Sequence, residues 1–224
     1  MLELVFFRFI YAKICFTFTV EMHLYNIFKM RFFIRQIVRL GFISRYFANK
    51  ALFSNSHDFE YRLLKNIDSI SELTNLINAA YRENAEKGLN FLGASQDEKT
   101  TLKRIRKGIC IVVVEKLSGR MVGTITYKAP HRSKGSPWFN KPFVAKRNLL
   151  AVDPEFQKRG IASHLIRLTE IIAKKHGATE IAFDTAESHQ ILLNFYKKNH
   201  YRFIENVKWG STNYLSVIYS KRLV

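Results

Sequence analysis

Acidic side chains are scarce in this chain of 224 residues: 18 Asp and Glu stand against 36 Lys and Arg, a formal net charge of +18. No acid occurs between Glu21 and Asp58. Such a bias speeds encounter with phosphate-rich partners, but no ordered run of aromatics and arginines marks a nucleic-acid groove. Cysteine is nearly absent. Its two copies, Cys15 and Cys110, stand far apart in apolar surroundings, which argues against a disulfide framework or a zinc site and for a reducing compartment. Long apolar runs are missing as well. The run at 14–20 is bounded by Lys13 and Glu21, well short of the roughly 20 residues that cross a bilayer, and no small-residue cleavage site follows a longer one. The expectation is therefore neither a membrane-spanning helix nor a secretory signal. The common nucleotide loops are absent too, since the chain has neither G-x-x-x-x-G-K-[ST] nor G-x-G-x-x-G at a strand end.

What is present suffices for one sizeable domain with an appendage, because 47% of the residues are hydrophobic and a chain of this length can bury a core. Residues 1–57 differ from the rest. They are crowded with Phe, Tyr, Ile and Arg, yet each apolar run is cut short by a charge. Arg31, Arg35 and Arg39 recur every fourth residue, which on a helix makes one basic stripe. The segment reads as a basic aromatic extension, poorly ordered on its own. A membrane-surface contact, an acidic partner or an organellar presequence stay open beside that reading.

The domain from residue 58 onward starts after the polar linker 54–58. The alternation in Phe59-Glu60-Tyr61-Arg62-Leu63 predicts a first strand. Ser69 with Glu72 forms a capping box before a helix whose apolar positions are Ile70, Leu73, Leu76, Ile77 and Ala80. Ser95 with Glu98 predicts a second box, opening a helix through Leu102 and Ile105. Residues 109–117 and 121–127, joined at Ser118-Gly119-Arg120, predict a β-hairpin. Residues 131–147, with Gly135, Pro137 and Pro142, read as a loop in which Trp138 and Phe139 serve as anchors. Residues 205–209 and 213–218, around Gly210-Ser211-Thr212, predict the last two strands.

The most informative stretch is Gln157-Lys158-Arg159-Gly160-Ile161-Ala162. It lies between an apolar strand, 148–152, and a segment of helical periodicity, 161–175. A glycine at a helix mouth lets backbone approach a ligand closely, and the first helical amides lack intrahelical partners and carry the positive end of the dipole. Val152, Pro154, Gln157, Gly160, Ala162, Ser163 and Leu165 together match the pattern Val-x-Pro, then Gln/Arg-x-x-Gly-x-Gly/Ala, then a small hydroxyl residue and a leucine. On these residues the chain resembles the GNAT acetyl-CoA-dependent N-acetyltransferases over roughly 59–223. A strand at 180–185, a short helix containing Phe195-Tyr196 and an aromatic strand opening at Tyr201-Arg202-Phe203 follow in the family's order.

The resemblance implies an α/β (α+β) GNAT-like fold, with a central, mostly antiparallel sheet, a splayed parallel strand pair and flanking helices. It implies acetyl-CoA as cosubstrate and an amine acceptor, whether small molecule, peptide or aminoacyl-tRNA. The backbone of Leu150, Ala151 and Val152 is expected to align the pantetheine arm, and the segment Gln157, Lys158, Arg159, Gly160, Ile161, Ala162 and Ser163 to hold the pyrophosphate. An ammonium acceptor with a pKa of about 10 must lose a proton before attack. Asp184 and Glu187 are the candidate carboxylates. Tyr196 is the candidate general acid toward the departing thiolate. Two positions depart from the family's pattern: His189 stands where asparagine is common, and His200 where glycine is common. His189 is still a candidate cofactor contact, and Asn199 with His200 must make the turn, with asparagine the more tolerant of a left-handed backbone. A cytoplasmic location and a homodimer are further expectations. A non-catalytic acyl-CoA-binding module and an RNA-directed acetyltransferase are the alternatives.

Overall fold

Alternating burial along Phe59-Glu60-Tyr61-Arg62-Leu63, with Phe59 and Tyr61 turned inward, makes the edge strand β1 (Phe59–Leu63) of the domain. The computed structural model describes residues 57–223; the N-terminal extension and its arginine stripe lie outside the described residues. β1 is followed by α1 (Ile70–Glu86), α2 (Glu98–Ile105), β2 (Ile109–Glu115), β3 (Met121–Lys128) and β4 (Val144–Val152). Then come α3 (Ile161–Lys175), β5 (Glu180–Ala186), α4 (Gln190–Lys198), β6 (Arg202–Val207) and β7 (Ser216–Arg222). The seven strands form one sheet in the order β1-β2-β3-β4-β5-β7-β6. Every neighbouring pair is antiparallel except β4 and β5. This is the mixed, mostly antiparallel sheet with one parallel pair that the family resemblance implies.

The two faces of the sheet are covered by different helices. Leu73, Leu76 and Ile77 of α1 pack on Cys110, Val112, Val114, Leu149 and Ala151. Alternation along each strand turns the other set of side chains to α3, where a Cβ at Gly123 would lie 3.0 Å from the Ile161 side chain. Cys110 is a free, buried thiol whose pKa is raised by burial, a packing residue and not a nucleophile.

Local signals set most helix ends. Ser69 Oγ accepts the Glu72 amide at 3.1 Å, half of the predicted capping box. The other half is diverted: Glu72 Oε1 accepts the Met121 amide at 2.7 Å, which ties α1 to β3. The predicted Ser95–Glu98 box does not form. Asp97 caps α2 by accepting the Thr100 amide at 2.8 Å, because a carboxylate directly before the helix outcompetes a hydroxyl two residues earlier.

Three strand boundaries also differ from expectation. β4 starts at Val144, four residues before the predicted cofactor strand, so the loop ends at Phe143 despite the basic residues that follow. The predicted strands at 201–203 and 205–209 are one strand, β6, and β7 begins only at Ser216. In each case pairing with a neighbouring strand, which the one-dimensional pattern does not carry, decides the limit.

Candidate active site

β4 and β5 pair only from Val144 opposite Glu180 to Lys146 opposite Ala182. Beyond Lys146 they diverge. Their C-terminal halves flank a V-shaped gap, and the β4 edge from 147 to 152 has no β5 partner. A register shift on the other side of β4, between Thr124 and Thr126, coincides with a left-handed backbone at Leu149, φ 55°. Such a bulge bends the strand and re-aims its edge. Leu150, Ala151 and Val152 therefore lie on the free edge, with the Gln157 carboxamide reaching back to the Val152 carbonyl at 3.4 Å.

The glycine loop closes the mouth of this gap on the β4 side. Gly160 is the N-cap of α3 with φ 80°, and a Cβ there would meet nothing within 4 Å. Lys158, also left-handed at φ 61°, and Arg159 are exposed beside it, while Ile161 is buried and fixes the first helical turn. The result is open backbone with unpaired amides and two cations facing solvent, a fit for a pyrophosphate. Ala162 is half-buried and Ser163 exposed on the same turn.

On the other side of the gap α4 carries Tyr196. It is 3% exposed, packed on Phe183 with ring centroids 3.8 Å apart. Burial raises its pKa, and the Arg147 guanidinium, 5.0 Å from the ring, opposes that rise. Arg147 is itself fully buried among Phe183, Tyr196 and Tyr201; its Nη1 donates to the Tyr201 hydroxyl at 2.5 Å, and that hydroxyl donates to Glu170 at 2.6 Å. The helix ends in a Schellman turn, with the His200 amide on the Lys197 carbonyl and the Tyr201 amide on the Tyr196 carbonyl. His200, not Asn199, takes the left-handed conformation, at φ 65°. Asn199 caps the helix instead, donating Nδ2 to the Phe195 carbonyl at 2.8 Å.

The remaining sequence candidates separate. Asp184 faces the α1 and α2 side, paired with Lys146 at 2.9 Å and accepting the Trp209 indole N–H at 3.1 Å. Glu187 is exposed past the end of β5 and does not join it. His189 caps α4, Nδ1 facing the Leu192 amide at 3.4 Å, and lines a cleft of about 340 Å³ with Lys87, Leu89, Ser188, Gln190 and Ile191.

Several side chains around Asp184 escaped the sequence reading: Tyr81, Arg104, Lys128 and Lys146, with Arg147 on the opposite face. Their local pattern carries no signal, because a lysine in a strand or an arginine on a charged helix reads as a solvent-facing residue. Tyr81 is pressed against Gly93, where a Cβ would lie 2.9 Å from the ring, and its pKa is pushed up to about 12 by burial, which outweighs the opposing Arg104 charge. Phe91 stacks on Tyr214 at 4.6 Å. The loops bearing these two are clasped by paired asparagines: the Asn90 amide donates to Asn213 Oδ1 at 3.1 Å, the Asn213 amide to Asn90 Oδ1 at 2.8 Å, and Asn213 Nδ2 to the Gly88 carbonyl at 2.7 Å. The loop at 87–93 and the segment 209–214 thus build one wall. Trp138 and the fully buried Phe139 anchor the loop before β4, as expected, and Phe139 also lies 3.8 Å beneath the Lys146 ammonium.

Residues 70–201 match the sequence profile of the acetyltransferase (GNAT) family. The chain belongs to that family. Solved structures agree with this in fold. An acetyltransferase from Streptococcus agalactiae is 21% identical with a TM-score of 0.57, covering 75% of this chain and 100% of its own. The ribosomal-protein-S18-alanine N-acetyltransferase of Escherichia coli is 13% identical with a TM-score of 0.56, covering 74% and 94%. A GNAT family acetyltransferase from Elizabethkingia anophelis, solved with acetyl-CoA bound, is 14% identical with a TM-score of 0.52, covering 75% and 100%. No curated protein matches the chain in sequence.

Proposed function

We propose that this GNAT protein is an N-acetyltransferase that moves an acetyl group from acetyl-CoA to a primary amine by direct attack in a ternary complex. The observation that carries the reading is the V-shaped gap between β4 and β5, with the open Gly160 loop on the β4 side and the buried Tyr196 packed on Phe183 of β5. Acetyl-CoA would supply the activated thioester. The free edge of Leu150, Ala151 and Val152 would align a peptide-like arm by backbone hydrogen bonds, and the amides from Lys158 to Ser163 would hold phosphate. The amine nitrogen forms a bond to the acetyl carbon as the carbon–sulfur bond breaks. The acceptor sheds its ammonium proton before attack and a second proton as the amide forms, both to solvent; Tyr196 gives its proton to the sulfur, and solvent returns one to the phenolate. Burial keeps Tyr196 protonated at neutral pH, as an acid requires, and Arg147 moderates the rise so that the proton can still leave. Asp184 is held by Lys146 and Trp209 on the acceptor side, where it orients groups and remains a candidate base.

The test is acetyl-CoA-dependent release of free thiol over a panel of amino acids, polyamines, peptides and aminoacyl-tRNA, with thermal stabilisation by acetyl-CoA as the parallel readout. Release with one class establishes the transfer. Stabilisation with no release from any amine would replace the reading by a non-catalytic acyl-CoA-binding module.

A further inference from the structure

Lys128 and Lys146 are directly opposed on the antiparallel β3–β4 pair. Like charges on one rung repel, and a fold accepts that conflict where the charges serve a ligand. Arg104 on α2 acts on Lys128 as a third cation, and burial together with these neighbours lowers the Lys128 pKa. The only carboxylate acting on Arg104 among the described residues is Asp184. Both oxygens of Asp184 are already engaged, one with Lys146 and the other with the Trp209 indole. Arg104 bonds a neutral group, the Gln96 side-chain oxygen, and Lys128 has no acidic partner among the described residues. Lys146 and Arg104 thus share one engaged carboxylate, and Lys128 beside them has none, in half-buried surroundings where an unmatched charge is costly.

We infer that the acceptor carries an acidic group, a carboxylate or a phosphonate, on the same small molecule as its amine, and that Lys128 and Arg104 bind it. The inference rests on the acetyl-transfer reading. One rung along β4 on the same face, Asn148 has a buried side-chain oxygen with no hydrogen-bond donor. With the acid at Lys128, an amine end directed toward the gap reaches Asn148, whose oxygen accepts its N–H. The same net positive charge lowers the pKa of a bound ammonium and favours the uncharged nucleophile. Polyamines, which bring only cations, are repelled.

The experiment uses the full chain saturated with desulfo-CoA, a non-reacting analogue. Calorimetric titration compares free amino acids with their carboxamides, and aminoalkylphosphonates with the matching alkylamines. The expected result is an acid form that binds about tenfold or more tightly than its neutral partner, as a charge-assisted hydrogen bond supplies, with the advantage collapsing in Lys128→Met and in Arg104→Gln. Whichever arm shows the larger preference identifies carboxylate or phosphonate. Equal binding of acid and neutral partners, preference for a polyamine, or a preference untouched in both variants overturns the inference. Thiol release is measured separately: its failure alongside acid-selective binding would overturn the transfer reading and leave the acid site standing.

Discussion

The two sides of the gap are built in opposite ways. The proposed cofactor side is a single run of chain, residues 148 to 163, that offers free backbone along β4 and an open glycine at the mouth of α3. The acceptor side is assembled from separate segments: Tyr81 from α1, Phe91 and Tyr214 from two loops, Arg104 from α2, Lys128 and Lys146 from adjacent strands, Asp184 from β5. A backbone cradle tolerates change in the side chains around it and binds one invariant ligand. A cradle made of side chains changes its ligand when one residue changes. One scaffold can therefore keep its acetyl donor while its acceptor varies.

Five substitutions break this contrast, in descending order of expected effect. Gly160→Glu is expected to abolish acetyl-CoA stabilisation, because the new side chain enters open space with negative charge and imposes a left-handed φ of 80° on a non-glycine residue; unchanged stabilisation would remove the loop from the site. Tyr196→Phe should lower kcat by roughly 10²-fold with acetyl-CoA affinity preserved, and Tyr81→Phe, on the facing wall, should lower it far less. A larger loss at Tyr81 would transfer the acid role across the gap.

Asn213→Ala leaves the cofactor side intact and opens the asparagine clasp. It removes the two side-chain hydrogen bonds of the clasp and leaves the Asn213 backbone amide on Asn90 Oδ1, so KM for the amine should rise several-fold while the KM for acetyl-CoA stays fixed, a split that steady-state kinetics resolves. An equal rise in both would mean that the two sides are not separable. His200→Gly is the smallest change and should stabilise. Glycine occupies φ 65° without the strain of an L side chain, a gain of about 0.5–1 kcal/mol offset in part by a freer unfolded chain. A lowered Tm would show that the His200 side chain has a packing role.

The difference between the two sides also explains what a reader of the sequence could see. The Gly160 turn, the helix at Ile161–Lys175 and the position of Tyr196 were legible because each depends on neighbours within a few residues: a strand end, a glycine, a 3.6-residue apolar period. The capping of α2 by Asp97 and the left-handed turn at His200 were missed by one or two positions, since several residues there compete for one local geometry. Lys128, Lys146 and Arg104 gave no local signal. A lysine within a strand looks like an outward residue until the register puts another lysine opposite it and a helix above it.

By itself the sequence determined the order of elements, the glycine-opened helix and the basic surplus, because propensity, capping and periodicity act over distances that a short window spans. Tertiary structure alone decided that β4 begins at Val144, that it leaves β5 after Lys146, and that cations from α2, β3 and β4 come together. The physical reason is that strand pairing and charge clustering join residues distant in the chain, and a gap between strands exists only where such pairing stops.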